Sequence, residues 1–239
     1  MILNESQALR QRAATFHKKQ ASLLDRKGKL ADDRGLILNG CVLMNELLPL
    51  ILFCIATSFT PGPNNILILN SGLHFGIKKS LPHFIGICVG FPLMILIVAL
   101  GFGAVLTEYP WIKDFFKFAG AAYMLYLSWQ ILNASTNIDE NQKTKPMTFL
   151  QAVLFQWVNG KAWVIAVGGI SLFTLSENYI LNAFAVSGFF LSIGVFTVGV
   201  WLVGGALLKH ILKNENQIRW FNRIMAASLA ASIALLFVM

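Results

Sequence analysis

The hydrophobic residues of this chain gather into continuous blocks of about twenty positions, and most charged residues fall between the blocks. A membrane-spanning helix needs about twenty consecutive apolar residues, whereas the strands of an outer-membrane barrel alternate apolar and polar residues over about ten positions. The pattern therefore predicts an all-α integral membrane protein. Its six transmembrane helices are expected at residues 47–70, 84–107, 114–133, 149–175, 179–208 and 221–239.

The composition agrees with this class. The 239 residues are 56% hydrophobic and 13% charged, with a mean hydropathy of +0.65, whereas a soluble domain carries about 25% charged residues. Cys54 and Cys88 lie inside apolar blocks and are expected to behave as small hydrophobic side chains. The sequence has no phosphate-binding loop and no metal-ligand motif. We therefore expect no enzyme activity, metal or cofactor, and any transport must draw on a gradient.

Lysine and arginine are concentrated after the first, third and fifth predicted helices. Basic residues in short loops remain on the cytoplasmic side, so these loops are expected to face the cytoplasm in a multi-pass protein of the bacterial inner membrane. The loops after the second and fourth helices offer only Lys113 and Lys117. The net charge of +8 is thus no evidence for nucleic-acid binding. The basic residues of the cytoplasmic loops are Lys78, Lys79, Lys143, Lys145, Lys209, Lys213, Arg219 and Arg223.

Residues 1–43 form a basic N-terminal extension that this topology would place outside the cell. A secretory signal is disfavoured because Asn39 and Gly40 interrupt its short apolar run. An amphipathic surface helix near residues 5–24 is a second interpretation. The preferred one is that Met44 is the physiological start, and that residues 1–43 are a disordered tail or an upstream misassignment. The transporter domain would then be 44–239, with halves 47–133 and 149–239.

The first predicted helix contains the segment Pro61-Gly62-Pro63-Asn64-Asn65. Two prolines around a glycine make a continuous helix cost several kcal/mol, so the helix must break. Irregular backbone at membrane depth is tolerated only inside protein or beside a water-filled cavity. The two asparagines are expected to cap the second half-helix and to bind a polar solute. A kink that serves packing alone is the competing interpretation.

The fourth predicted helix contains Asn159-Gly160-Lys161. A lysine inside a hydrophobic span usually faces a cavity or a partner, although a lysine near the interface can extend to the surface instead. The irregular segments of the first and fourth helices occupy corresponding positions in the two three-helix halves. Such a pair is the sequence pointer to a binding site between inverted repeats.

The histidines are assigned no chemistry. His17, His74, His83 and His210 fall in predicted tails or loops, so all four are expected to be solvated or interfacial. Assistance to a cytoplasmic gate is the alternative for His74 and His83.

Two stretches resemble a known family. Residues 56–67, which include the Pro-Gly-Pro segment, and residues 120–123 with Trp129 are similar to the lysine-exporter (LysE-type) amino-acid translocators. The resemblance runs from Met44 to the end. Within the family, the Pro-Gly-Pro-Asn-Asn run, Phe91 and Asn159-x-Lys161 look most like the cysteine/O-acetylserine exporter branch.

The resemblance implies secondary-active export of a small neutral amino acid or derivative, of the cysteine/O-acetylserine or the threonine/homoserine kind, by alternating access of two inverted halves. Its substrate-binding residues would be Pro61, Gly62, Pro63, Asn64, Asn65, Asn159 and Lys161. The expected partners are the amino acid, the lipid bilayer and the proton gradient, as in an antiporter, and a homo-oligomer is left open.

Two positions depart from the family pattern. Gly160 stands where many members have proline, which predicts a softer second break. Phe91 stands where many have aspartate, which leaves Glu46, Glu108, Asp114 or the substrate itself as proton carrier. A non-transporting membrane scaffold and a passive channel remain as alternatives.

Overall fold

The computed structural model describes residues 47–102, 105, 108–136, 145–174, 179–212, 214–234 and 237. The chain divides into two compact units, Met1–Pro49 and Leu50–Met239. The N-terminal extension predicted at residues 1–43 lies outside the described residues. All regular secondary structure within the described ranges is helical, which confirms the all-α class.

Seven helices make up the described chain, and a π-helical turn, Val98–Phe102, follows the second of them. They are α1 (Leu47–Phe59), α2 (Pro63–Ile97), α3 (Pro110–Leu132), α4 (Phe149–Val158), α5 (Gly160–Phe173), α6 (Tyr179–Ile211) and α7 (Glu215–Ala231).

Among the described residues, two helices are long and apolar enough to cross a membrane, Pro63–Phe102 and Tyr179–Ile211. A third span results if α4 and α5, which meet at a 71° bend, are counted together. The predicted arrangement of six spans in two inverted halves therefore stays a prediction.

The first two predicted spans are joined differently from the expectation. The chain from Pro63 to Ile97 is helical throughout except at Gly76, whose backbone has φ 72° and ψ 174°. Glycine adopts this positive φ without the steric cost that a Cβ imposes. The loop expected between the two spans is thus reduced to a break at one residue, and its flanking residues belong to a helix.

Helix α2 packs mainly against α6 and α4, and α3 packs against α7. Small residues allow the closest approaches, as is typical of membrane helices. A Cβ on Gly86 would lie 2.6 Å from the carbonyl oxygen of Phe149, and one on Gly90 would lie 2.8 Å from Cα of Val153. These two glycines therefore serve close helix packing.

Three apolar clusters form the core. The first joins residues of α1, α2, α5 and α6, the second joins α2, α3, α4 and α7, and the third joins α2, α4 and α6. Cys54 and Cys88 are free, buried thiols within these clusters, as expected. Large hydrophobic side chains are also exposed along most helices, as lipid-facing helices require.

Candidate functional site

The first helix breaks where the prolines predict it. Helix α1 ends at Phe59, residues 60–62 are non-helical, and α2 begins at Pro63 with Gly62 as its extended N-cap residue. Pro63 occupies the first helical position, where its missing amide proton costs no intrahelical hydrogen bond. The two prolines therefore end one helix and start the next.

The second break lies at Asn159, between α4 and α5. The two helices meet at 71°, so the break is sharp although Gly160 replaces the family proline. Backbone carbonyls freed at such a bend need new donors. The indole Nε1 of Trp163 donates to the carbonyl oxygen of Trp157 at 2.8 Å, which satisfies one of them.

A lysine joins the two breaks. The Nζ of half-buried Lys161, in the first turn of α5, donates to the carbonyl oxygens of Thr60 and, at 3.5 Å, of Pro61. A Cβ on Gly62 would lie 2.5 Å from Cδ of Lys161, so glycine makes room for this side chain. The lysine reaches across to the first break rather than to the protein surface. An ammonium has three donors, and the two carbonyls leave it one more.

The two asparagines after the first break do not cap α2, which corrects the expectation. The N-cap residue is Gly62, with no side-chain cap bond. Asn65 instead donates from Nδ2 to the carbonyl oxygens of Ser58 at 2.7 Å and Thr60 at 3.1 Å, at the end of α1. The reason is that a helix end leaves carbonyls without partners, and the amide of Asn65, like the ammonium of Lys161, is close enough to supply a donor.

Asn64 pairs with a residue that sequence reasoning missed. Its Nδ2 donates to Oε1 of Gln156 at 2.8 Å, and Nε2 of Gln156 donates back to Oδ1 of Asn64 at 3.2 Å. Gln156 also donates to the carbonyl of Ala152 at 2.8 Å and is fully buried. Its position just before the second break could have indicated that it belongs to the site.

Asn159 contributes to the site a buried polar atom that has no hydrogen-bond partner among the described residues. Its side chain is 2% exposed, and its Oδ1 has no hydrogen-bond partner among the described atoms. Although it is the N-cap residue of α5, its side chain makes no cap bond. A buried polar atom without a partner costs free energy, so this oxygen is suited to a ligand.

These residues surround one cavity with about 540 Å³ of empty space, part of it open to the exterior. Among the described residues that line this cavity, Lys161 is the one with a charged side chain. Pro61 and Pro63 do not line it, so their part is to shape the backbone. The lining from the two breaks is Gly62, Asn64, Asn65, Asn159, Lys161 and Ala162.

The rest of the lining was not predicted as a site. Thr57 and Ser58 contribute hydroxyl groups from the last turn of α1. Phe91, Ile165 and Phe190 form an apolar wall, in which the rings of Phe91 and Phe190 meet edge to face with centroids 5.1 Å apart. Thr57 and Ser58 lie a few residues before the Pro-Gly-Pro segment, and this position could have indicated that they belong to the site. Nothing in the sequence distinguishes Phe190 from a lipid-facing residue.

The amino ends of two helices meet at this cavity. The first turns of α2 and α5 both line it. A helix amino end carries unsatisfied N–H groups and a partial positive charge, and it therefore attracts anions. The two helix amino ends and the ammonium of Lys161 thus give the cavity three sources of positive potential, and Asn159 adds an amide oxygen without a partner among the described residues. This arrangement suits a zwitterionic solute that carries both a carboxylate and an ammonium group.

His74 and His83 are not solvated, contrary to the expectation. Both lie within α2, and their side chains are 6% and 1% exposed. The short break at Gly76 keeps them in a packed helix where a loop was expected. His210 is exposed at the end of α6, as predicted, and His17 lies outside the described residues.

The chain was compared with known proteins. A family model described as LysE type translocator matches residues 55–239. The cysteine/O-acetylserine efflux protein of Escherichia coli O1:K1 / APEC is 31% identical over 176 residues, which are 73% of this chain and 88% of the relative. The protein of the same name from Salmonella choleraesuis (strain SC-B67) is 32% identical over the same shares. No solved structure matches the chain.

Proposed function

Because the chain belongs to the LysE type translocator family, we propose that it exports a small neutral amino acid or derivative by secondary-active transport. A translocator is a membrane transporter and not an enzyme. The matched residues cover 88% of the length of each of these relatives. We therefore expect the chain to carry out a transport cycle like theirs.

The proposed substrate is cysteine, O-acetylserine or a solute of that kind. The relatives at 31% and 32% identity are cysteine/O-acetylserine efflux proteins. The apolar wall of Phe91, Ile165 and Phe190 suits a short, uncharged side chain, and the described lining residues include no carboxylate to hold a second cationic group. Threonine and homoserine are the next candidates for the same reason.

The observation that carries the proposal is the convergence of the two helix breaks on one cavity. The substrate carboxylate is proposed to lie at the amino ends of α2 and α5, close to the ammonium of Lys161. The substrate ammonium is proposed to donate to Oδ1 of Asn159, which has no hydrogen-bond partner among the described residues. Asn64 and Asn65 hold the two breaks in shape around it.

The transport cycle is proposed to be alternating access. Each of the proposed halves, 47–133 and 149–239, begins with a broken helix, α1–α2 and α4–α5, as in transporters with inverted repeats. We propose six spans in the bacterial inner membrane, with the loops after spans one, three and five in the cytoplasm, and coupling to the proton gradient.

The test is efflux from cells that express the chain. Cells are preloaded with labelled cysteine, O-acetylserine, threonine, homoserine or lysine, and loss of label is followed with and without a proton uncoupler. We expect faster loss of cysteine or O-acetylserine than from empty-vector cells, and we expect the uncoupler to abolish the difference. Efflux that ignores the uncoupler would indicate a passive channel. No accelerated efflux, despite confirmed membrane insertion, would leave the scaffold interpretation.

A further inference from the structure

A second polar cavity lies beside α2, α3 and the segment that leads into α4. Its empty space is about 510 Å³, which includes a part that is open to the exterior. Asn70, His74 and His83 line it from α2, Gln130 lines it from α3, and Lys145 lines it from the segment before α4. None of these residues lines the cavity of the proposed substrate site.

His83 is the group in this cavity that the fold does not use. Its side chain is 1% exposed, and neither ring nitrogen has a hydrogen-bond partner among the described atoms. Oδ1 of Asn70, also enclosed, lacks a partner as well. Native structures rarely leave buried polar atoms unpaired without a functional reason. The two residues thus supply an unused proton acceptor and, in the same cavity, an unused hydrogen-bond acceptor.

His74 differs from His83 because it is engaged. Its Nε2 lies 3.1 Å from Oδ1 of Asn222 in α7, so it acts as the donor, and Nδ2 of Asn222 donates to the carbonyl of Ala134 at 3.3 Å. This chain of bonds fixes His74 between α2 and α7. The neighbouring hydroxyls of Ser71 and Ser80, 2.9 Å apart, satisfy each other.

The other titratable groups that line the cavity of His83 are basic. Of the residues lining the cavity, His74 and Lys145 are the other titratable groups. The polar side chain that α3 presents to the cavity is Gln130, whose Nε2 donates to the hydroxyl of Tyr126 at 2.6 Å, and α4 has no titratable residue. The remaining charged or titratable groups near this end of α2, α6 and α7 are exposed. They are Lys78, Lys79, Lys209, His210, Glu215, Arg219 and Arg223.

Helix α2 borders both cavities. Asn65 of the first cavity and His74 of the second are nine residues apart on α2, or about 13 Å along its axis. The break at Gly76 lies between His74 and His83. On α4, Gln156 holds Asn64 next to the substrate cavity, while Met147, just before that helix, lines the second cavity. A change at His83 can therefore act on the substrate site through packed helices.

We propose that His83 carries the coupling proton of the transport cycle, in a cavity separate from the substrate site. This inference rests on the proposed function. Ionisable residues inside a transporter commonly form proton pathways, and imidazole exchanges protons in the physiological pH range. The proton binds a free ring nitrogen from one side of the membrane and leaves to the other side when the helices around Gly76 move.

The test uses the full-length chain in liposomes with labelled O-acetylserine. Exchange at equal internal and external pH measures solute movement without a net proton drive. Accumulation under an imposed pH gradient measures coupling. His83→Gln is expected to keep exchange within about twofold of wild type and to lose gradient-driven accumulation by about tenfold or more. His210→Gln, at the exposed histidine, is the matched control and should match wild type in both assays.

Each other outcome has a distinct meaning. Gradient-driven accumulation that persists in His83→Gln, or exchange lost in a His83→Gln protein that still melts cooperatively, would overturn the inference. Wild-type exchange without any response to the pH gradient would overturn the coupling site and leave translocation standing. Absence of exchange with all five labelled amino acids named above would remove the proposed function and the coupling site together.

A second measurement covers the case in which His83→Gln does not fold. The chain has four histidines, so histidine-selective isotope labelling gives four imidazole signals by NMR. Glutamine variants of His17, His74 and His210 assign the His83 signal by elimination. The protonation state of His83 is expected to change when O-acetylserine is added. A ring that stays in one state at every pH where coupled transport occurs would refute the inference.

Discussion

The ammonium of Lys161 donates a hydrogen bond to the backbone carbonyl of Thr60, 101 residues earlier in the chain. This bond connects the break between α1 and α2 to the break between α4 and α5. The same nitrogen is next to the carbonyl of Pro61, at 3.5 Å. One side chain therefore stabilises the unpaired backbone of the first break and supplies the positive charge of the proposed substrate site.

Replacing Lys161 with Met is expected to affect both roles. Loss of the ammonium leaves the Thr60 and Pro61 carbonyls without this donor, which costs about 1–3 kcal/mol of unfolding free energy. Export should fall by about tenfold or more because the carboxylate loses its cation. Thermal melting and efflux measure the two effects, with Lys79→Met on the exposed part of α2 as control. A Lys161→Met protein with wild-type efflux would contradict the proposed site.

Replacing Asn159 with Leu separates binding from folding. In the part of the chain that the structure describes, its Oδ1 has no hydrogen-bond partner, so its loss removes no hydrogen bond of that atom, and the melting temperature should change little. The KM for efflux is expected to rise by about tenfold, since one hydrogen bond to the substrate ammonium is lost. Asn64→Leu is the contrasting variant, because it breaks the pair with Gln156 and should destabilise the fold. Unchanged KM in Asn159→Leu would argue against an ammonium at this oxygen.

Asn65→Leu is expected to abolish export and also to lower stability. The sequence alone predicts only the first effect, but the structure shows that Nδ2 of Asn65 holds the carbonyls of Ser58 and Thr60. Asn65→Asp should be at least as damaging, since an ionised carboxylate accepts hydrogen bonds and cannot donate them. Melting of the two variants beside wild type measures this. Equal stability of all three would show that the amide does not stabilise the break.

Gly62→Ala tests the space beside Lys161. The new Cβ would lie 2.5 Å from Cδ of that lysine, so the flexible side chain must move away from the first break. The backbone of Gly62 is extended, with φ −170°, and accepts alanine, so the fold should persist while efflux falls severalfold. Gly188→Ala is the control because a Cβ there meets nothing within 4 Å. Full activity of Gly62→Ala would show that the lysine position is unimportant.

The contact between α2 and α6 gives a purely structural prediction. A Cβ on Gly205 would overlap the carbonyl oxygen of Leu69, whereas one on Gly204 would lie 3.8 Å from Cδ1 of the same leucine. Gly205→Ala should therefore destabilise the protein by about 1–3 kcal/mol or more, and Gly204→Ala should be nearly neutral. Detergent-solubilised melting curves compare them. Similar curves for the two variants would mean that the helices are not packed this closely.

The helix breaks were predictable because their causes are local. Proline has no amide hydrogen and disfavours helix at the preceding residue, so Pro61 and Pro63 interrupt α1–α2 wherever that segment packs. The cysteines Cys54 and Cys88 were interpreted correctly for a similar reason. Their size and their place in an apolar block leave few other roles.

The hydrogen-bond partners were not predictable, because they join residues far apart in the chain. Asn65 was expected to cap α2 and instead holds the end of α1, since the geometry of the break decides which carbonyls lie within its reach. Gln156 was passed over because its partner, Asn64, lies 92 residues away. His83 was assigned to a loop because its own segment is polar, and its burial follows from the break at Gly76.

By itself, the sequence determined that this protein is a helical membrane protein with two interrupted helices, because block length, charge exclusion and proline chemistry act over a few residues. The short motif around the first break also indicated the protein family. The tertiary structure decided that Lys161 connects the two breaks and that His83 is buried. It also decided that Asn159 lines a cavity and that its Oδ1 has no hydrogen-bond partner among the described residues. These relationships depend on helix packing, which the order of residues within one helix does not specify.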